Sequence, residues 1–203
     1  MGTIVQARSF SMVDGFPADQ CDRVVLLFWE AFRQKLYPVM KPEAKALAFL
    51  EQVADPIHAI SALSPDGDVL GVAGFKTSKG ALIGGGLKEI CAAYGLVGGV
   101  WRGVVLSLLE RPLQPGTLLM DGIFVSPEAR GRGVGSALLS AIKDKAVALG
   151  CTSVRLDVID TNPRAKNLYE RSGFVAESVS DMGPLRHIFG FRKATTMVCR
   201  DLA

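Results

Sequence analysis

Six residues open the functional reading of this 203-residue chain: Arg130-Gly131-Arg132-Gly133-Val134-Gly135. They follow an apolar run, Leu118–Val125, and lead into Val134, Ala137, Leu138, Ala141, Ile142 and Leu149, apolar residues at helical spacing. A helix starting here presents unpaired backbone N–H groups and the positive end of its dipole, a natural seat for phosphate. The glycines let an anion approach the main chain closely, and Arg130 and Arg132 add positive charge. The loop is not a Walker A loop, because Gly-Lys-Ser/Thr occurs nowhere in the chain. It is not the dinucleotide pattern GxGxxG either, because Ser136 follows Gly135. The same glycines also fit a turn that merely admits tight packing of strand on helix.

The elements that must position this loop are legible in outline. Residues 3–9 read as a short strand, and residues 18–37 as an amphipathic helix ended before Pro38. A second helix runs from Pro42 in its first turn to about Ala54. His58–Leu63 and Val69–Thr77 flank Ser-Pro-Asp-Gly-Asp and predict a β-hairpin. The helix after the Arg-Gly loop is capped by Gly150. Val154–Ile159 is a strand, Asn162-Pro163 opens a helix that stops at Gly173, and residues 174–179 and 195–202 close as strands. That order predicts one α/β domain over 1–203 with a mixed sheet.

Two segments in this order resemble the GNAT superfamily of acetyl-CoA-dependent N-acetyltransferases. Arg130, Gly133 and Gly135 fit its Arg/Gln-x-x-Gly-x-Gly/Ala signature, preceded by Ile123-Phe124-Val125-Ser126-Pro127 in the family's strand pattern. Downstream, Asn162, Ala165, Leu168, Tyr169, Gly173 and Phe174 fit Asn-x-x-Ala-x-x-Leu-Tyr-x-x-x-Gly-Phe. The resemblance implies a mostly antiparallel mixed sheet flanked by helices. It also implies acetyl-CoA as co-substrate, with no metal. The pantetheine arm would pair with the backbone of Ile123, Phe124 and Val125. The pyrophosphate would sit on the N–H groups of Gly131, Arg132, Gly133, Val134, Gly135 and Ser136, with Arg130 beside them. Asn162 would contact the arm, although an N-cap before Pro163 explains an Asn there equally. Tyr169 matches the tyrosine that protonates the leaving thiolate in many members; its plain alternative is a residue packing beside Leu168 and Ala165.

The implied reaction is direct attack of a neutral amine on the thioester, which requires a base. Asp121 is the first candidate, because alternation along a strand would face it with Ile123 and Val125, and family members often carry a base upstream of the signature. Asp157 on the next strand is the second. The N–H of Val125 would serve the carbonyl oxygen. The expected function is therefore transfer of acetyl to a small-molecule or peptide amine. The alternative is a non-catalytic acyl-CoA-binding or sensor module.

Composition narrows the remainder. Charge is 23 Lys+Arg against 20 Asp+Glu, a formal +3, which argues against a nucleic-acid partner. Four scattered cysteines and two histidines form no metal spacing, and the N-terminus shows no signal peptide, so a cytoplasmic location is expected. The 49% apolar content concentrates in an insertion over residues 80–116. Between Ala81 and Leu109 only Lys88, Glu89 and Arg102 are charged, and the longest charge-free run is too short for a membrane span. Gly95, Gly99 and Gly103 would give a helix a smooth packing face. The insertion is expected to cover the sheet, to line the acceptor pocket with Tyr94 and Trp101, or to form a homodimer contact.

Overall fold

The computed structural model describes residues 10–202, so the strand expected over residues 3–9 lies outside the described residues. β1 (Ser11–Asp14) is followed by α1 (Cys21–Met40) and α2 (Glu43–Val53). Next come the hairpin β2 (Ala59–Leu63) and β3 (Val69–Thr77), a two-residue β4 (Gly80–Ala81), α3 (Leu87–Tyr94) and α4 (Leu96–Ser107). The second half runs β5 (Thr117–Val125), α5 (Val134–Ala148), β6 (Ser153–Ile159), α6 (Pro163–Arg171), β7 (Val175–Asp181), α7 (Arg186–Phe189) and β8 (Lys193–Cys199).

α1 passes through Pro38 instead of stopping before it. Proline removes one N–H and is costly deep inside a helix. Here only Val39 and Met40 follow, and the N–H of Lys41 closes the last turn on the carbonyl of Tyr37 at 3.1 Å.

The strands form one sheet in the order β1-β2-β3-β5-β6-β8-β7, with β4 attached to β3. Only β5 and β6 are parallel, joined across the face by α5; every other paired neighbour is antiparallel. The expected mixed, mostly antiparallel α+β architecture is thus present. On one face Leu138, Leu139 and Ile142 of α5 pack on Leu118, Met120, Val154 and Leu156 of the sheet. On the other, Trp29 of α1 and Phe49 and Leu50 of α2 form a second core, and Val24 meets Phe124 in a third.

The insertion is a helical hairpin. Gly95 lies between α3 and α4 at φ +76°, so it makes the turn and is not part of a helical glycine face. Gly99 and Gly103 do make that face. A Cβ on Gly99 would stand 2.5 Å from the Cα of Cys91, and one on Gly103 would stand 3.0 Å from Leu87 Cδ1. Among the described residues no helix is long and apolar enough to cross a membrane.

Candidate active site

Two features of β5 create the site. The first is a splay. β5 pairs with β6 only over Thr117–Leu119 with Ser153–Arg155, and beyond that point the two strands part while β6 continues along β8. On its other edge β5 stays paired with β3, and the Ser126 N–H donates to the Leu70 carbonyl at 2.8 Å. Backbone groups of successive residues in an antiparallel pair point to alternate edges. Ser126, Phe124 and Gly122 therefore bond to β3, and the N–H and C=O of Ile123 and Val125 face the gap. A chain laid in that gap can pair with β5 as an extra strand.

The second feature is a bulge. Gly74 pairs with Gly122 but Phe75 pairs with Met120, so Asp121 is an extra residue in β5. The bulge inverts the alternation on which the sequence reading relied. Leu118 and Met120 face α5, as do Ile123 and Val125, whereas Phe124 packs on the α1 side. A Cβ on Gly122 would strike Phe32 of α1. Asp121 stands in a cleft with Lys35 and Phe28 of α1, on the face opposite Ile123 and Val125. The expected shared orientation of these three residues is corrected by this one inserted position.

Two clefts result, and they meet on β5. The larger, about 590 Å³, is lined by Ile123, Phe124, Val125, Arg130, Gly131, Gly133, Val134, Gly135, Ser136 and Asn162. Of the residues expected to bind acetyl-CoA, only Arg132 is not among the lining residues. Gly131 and Gly133 take φ of +78° and +83°, the left-handed conformation that glycine adopts without strain. No side chain caps α5, no acidic residue lies in its first turn, and the Ala137 N–H makes the first internal bond, to Gly133 O at 3.0 Å. The N–H groups of Val134, Gly135 and Ser136 are therefore left without helical partners, as an anion site requires. Asn162 Oδ1 accepts from the Ala165 N–H at 3.1 Å, so its side chain caps α6 and also borders the cleft. Arg130 Nε donates to the Val125 carbonyl at 3.2 Å, which folds this cation over the mouth of the gap.

The walls of this cleft come from residues that the expected binding set did not include. Arg164, Leu168 and Arg171 of α6, and Leu27, Glu30 and Ala31 of α1, also line this cleft. Their spacing of three and four residues was a usable signal, since such positions share a helix face.

The smaller cleft, about 280 Å³, lies on the α1 face around Asp121 and Gly122. Both ends of the insertion line it, through Ala81, Leu82 and Ile83 and through Leu106, Leu109, Glu110 and Arg111. Tyr94 and Trp101 do not. The Tyr94 hydroxyl donates to the Met40 carbonyl at 2.5 Å, and the Arg102 guanidinium lies 4.2 Å from its ring centroid and 4.6 Å from that of Trp101. Val97, Val100, Trp101 and Val104 form an exposed stripe on α4, the surface on which the expected contact between copies would rest.

Burial raises the Asp121 carboxyl above the usual carboxylate range, and Lys76 and Lys35 offset this only in part. Asp121 makes no hydrogen bond or close ion pair among the described residues, so its lone pairs are available. Asp157 is differently placed. It accepts from Arg111 Nε at 2.7 Å and from Thr196 Oγ1 at 2.6 Å. Both of its oxygens are thus engaged by protein donors, whereas those of Asp121 are not.

Tyr169 lines neither cleft. It is 6% exposed and packs against Phe174 in the α5-side core, its ring centroid 6.1 Å away. Burial pushes its phenol upward, and its hydroxyl has no hydrogen-bond partner among the described residues. His58, by contrast, is held structurally between Asp55 and Thr77, each at 2.9 Å. Among the described residues no three His, Cys, Asp or Glu side chains assemble into a metal site.

Residues 22–174 match the family model described as the acetyltransferase (GNAT) family. A thialysine N-epsilon-acetyltransferase from Bos taurus is 39% identical over 56 residues, 28% of this chain and 33% of that protein. The chain thus spans about a third of the length of that relative. In three dimensions, a GCN5-related N-acetyltransferase from Kribbella flavida superposes with a TM-score of 0.61 at 18% identity, covering 95% of this chain and 98% of the other. Ard1 from Thermoplasma volcanium does so with a TM-score of 0.56 at 17% identity, covering 94% and 96%.

Proposed function

The chain belongs to the GNAT acetyltransferase family, whose members use acetyl-CoA, and on that footing we propose that it transfers acetyl from acetyl-CoA to a primary amine held beside Asp121. The observation that carries this reading is the meeting of the two clefts at Asp121–Ile123. One cleft has the strand edge and helix start that suit a pantetheine pyrophosphate; the other has a carboxylate with no hydrogen-bond or close ion-pair partner among the described residues at its junction with the first. A binding module would need only the first.

In this reading Gly131, Gly133 and the N–H groups of Val134, Gly135 and Ser136 hold the pyrophosphate. Arg130, Arg132, Arg164 and Arg171 supply charge. Ile123 and Val125 pair with the arm. The cleft-facing N–H nearest the junction is that of Ile123, so it takes the developing negative charge on the thioester oxygen better than Val125, about 7 Å further along the strand. Asp121 accepts the amine proton directly, and its raised pKa makes it a stronger base than an ordinary carboxylate. The amine nitrogen bonds to the acetyl carbon, the carbon–sulfur bond breaks, and the thiolate leaves. Tyr169 gives it a proton if the sulfur reaches into the gap between β5 and β6, where the unpartnered hydroxyl would gain an acceptor.

The test is Asp121→Asn, assayed by thiol release with a panel of amines. Loss of a general base lowers kcat/KM by about 10²–10⁴-fold. In the native enzyme kcat/KM falls as acid protonates Asp121, with a midpoint above the ordinary carboxylate value, and this limb disappears in the variant. Acetyl-CoA binding stays unchanged. An intact acid limb in Asp121→Asn removes the assignment.

A further inference from the structure

The smaller cleft holds three basic and three acidic side chains: Lys35, Lys76 and Arg111 with Glu110, Asp121 and Asp157. Two pairs lie within ion-pair distance, one tight and one loose and solvent-exposed. Arg111 Nε lies 2.7 Å from Asp157 Oδ2, and Lys76 Nζ lies 3.9 Å from Glu110 Oε2. Lys35 and Asp121 belong to neither pair, although Lys76 acts on Asp121 from a distance. Neither makes a hydrogen bond or an ion pair within 4.0 Å among the described residues, although each feels the other's charge.

Lys35 is reached by the geometry of α1. Phe28, Phe32 and Lys35 share one helix face at spacings of four and three residues, and that face turns to β5. The Lys35 ammonium lies 4.9 Å from the centroid of the Phe32 ring, over an aromatic surface instead of a carboxylate. Surrounding protein lowers its pKa by desolvation. Lys35 is half-buried and Asp121 opens to solvent in the cleft, so a cation and an anion stand in one small cavity with no direct contact between them, each free to meet the opposite charge of a ligand. The space between them is bounded by Phe28, Leu36, Leu82, Ile83, Leu106 and Phe191. Its 280 Å³ is roughly twice the ~150 Å³ that holds a benzene, which suits a small molecule with an apolar body.

We propose that the acceptor is an amino-acid-like molecule, its amine set on Asp121 and its carboxylate bound by Lys35. The inference rests on the reading of this cleft as the acceptor site and goes beyond it by naming the chemistry at both ends. A cationic polyamine would meet Lys35 with like charge. A neutral amine would leave Lys35 with only the Phe32 ring beside it.

The experiment compares apolar amino acids with their C-terminal amides, leucine against leucinamide and methionine against methioninamide, in the native enzyme and in Lys35→Met and Lys35→Arg. A charge-assisted hydrogen bond to the carboxylate gives the acids about a ten- to hundred-fold advantage in kcat/KM over the amides in the native enzyme. Lys35→Met brings that ratio to about one, and Lys35→Arg restores a preference for the acids. The native comparison needs no variant to fold. Acetyl transfer to the amides as fast as or faster than to the acids overturns the inference and leaves the acetyltransferase reading standing. No transfer to any amine, acid or amide, overturns both.

Discussion

Replacing Gly122 by alanine tests the joint between fold and site. An added Cβ would stand 2.6 Å from Cζ and 3.1 Å from Cε2 of Phe32, against an ordinary carbon–carbon contact of about 3.5–4.0 Å. The ring must therefore move by about 1 Å. It has little room: Phe28 lies 4.7 Å away between centroids, Phe124 meets it edge-on at 6.3 Å, and Lys35 sits above it. Overpacking of this kind costs about 1–3 kcal/mol. For a chain of this size that is a fall in melting temperature of about 2–12 °C. Phe32 carries Lys35, a lining residue of the smaller cleft, over its ring, so a displaced ring moves that wall of the cleft. The KM for the amine should rise about tenfold, roughly the 1.4 kcal/mol that a displaced cleft wall would account for. The KM for acetyl-CoA should stay within about twofold, because the α5 loop and the edge of Ile123–Val125 are untouched. Thermal unfolding and steady-state thiol release measure both effects. Gly67→Ala is the control: at φ +89° with no atom within 4 Å of the added Cβ, it costs stability through backbone strain and has no route to the cleft. Unchanged melting and unchanged amine KM in Gly122→Ala would show that Phe32 is not pinned and would falsify this account of the bulge.

Three further outcomes follow from particular contacts. Tyr169→Phe should lower turnover tenfold or more if the hydroxyl protonates the thiolate, with little loss of stability because that hydroxyl has no partner to forfeit; unchanged turnover leaves Tyr169 a packing residue. Gly99→Ala should destabilise by about 3 kcal/mol or more, read by chemical denaturation, because the clash is with Cys91 backbone at 2.5 Å and neither helix can yield locally; a change under about 1 kcal/mol would refute the close packing of α3 on α4. Stability depends on pH through Asp121 and Lys35. Asp121 is raised in the fold, so its favourable contribution is present below the ordinary carboxylate pKa and is lost as pH rises through the folded value. Lys35 is lowered, so its contribution is present above the ordinary lysine pKa and is lost as pH falls through the folded value. Near neutral pH both groups therefore oppose folding; Lys35→Met should raise the melting temperature, whereas Asp121→Asn should change it less, because Asp121 is exposed and solvent screens its charge. A lower melting temperature in either variant would show that its charge is compensated within the fold.

The cofactor half of the site was legible in the residues because it is built from local backbone chemistry. A glycine at positive φ before α5, an asparagine capping α6 and a strand ending in Val125 depend on neighbours a few positions away, and their types announce them. The acceptor half was not. Whether Asp121 faces α5 or α1 depends on its register against β3, and a single extra residue reverses the face without altering composition or periodicity. Asp157 stood as the second candidate until Arg111 and Thr196, 46 and 39 positions away, closed on it. Lys35 carried no signal of its own in the residues 18–37 helix, and what distinguishes it, a position in the cleft over Phe32 without a carboxylate partner, only packing could reveal. The sequence by itself determined the strand–loop–helix and the family, since hydrogen-bonding and conformational demands there are short-range. Which carboxylate is free, which cation faces it and how large a cleft they share were decided by the tertiary structure, because charge pairing and desolvation are properties of elements brought together from across the chain.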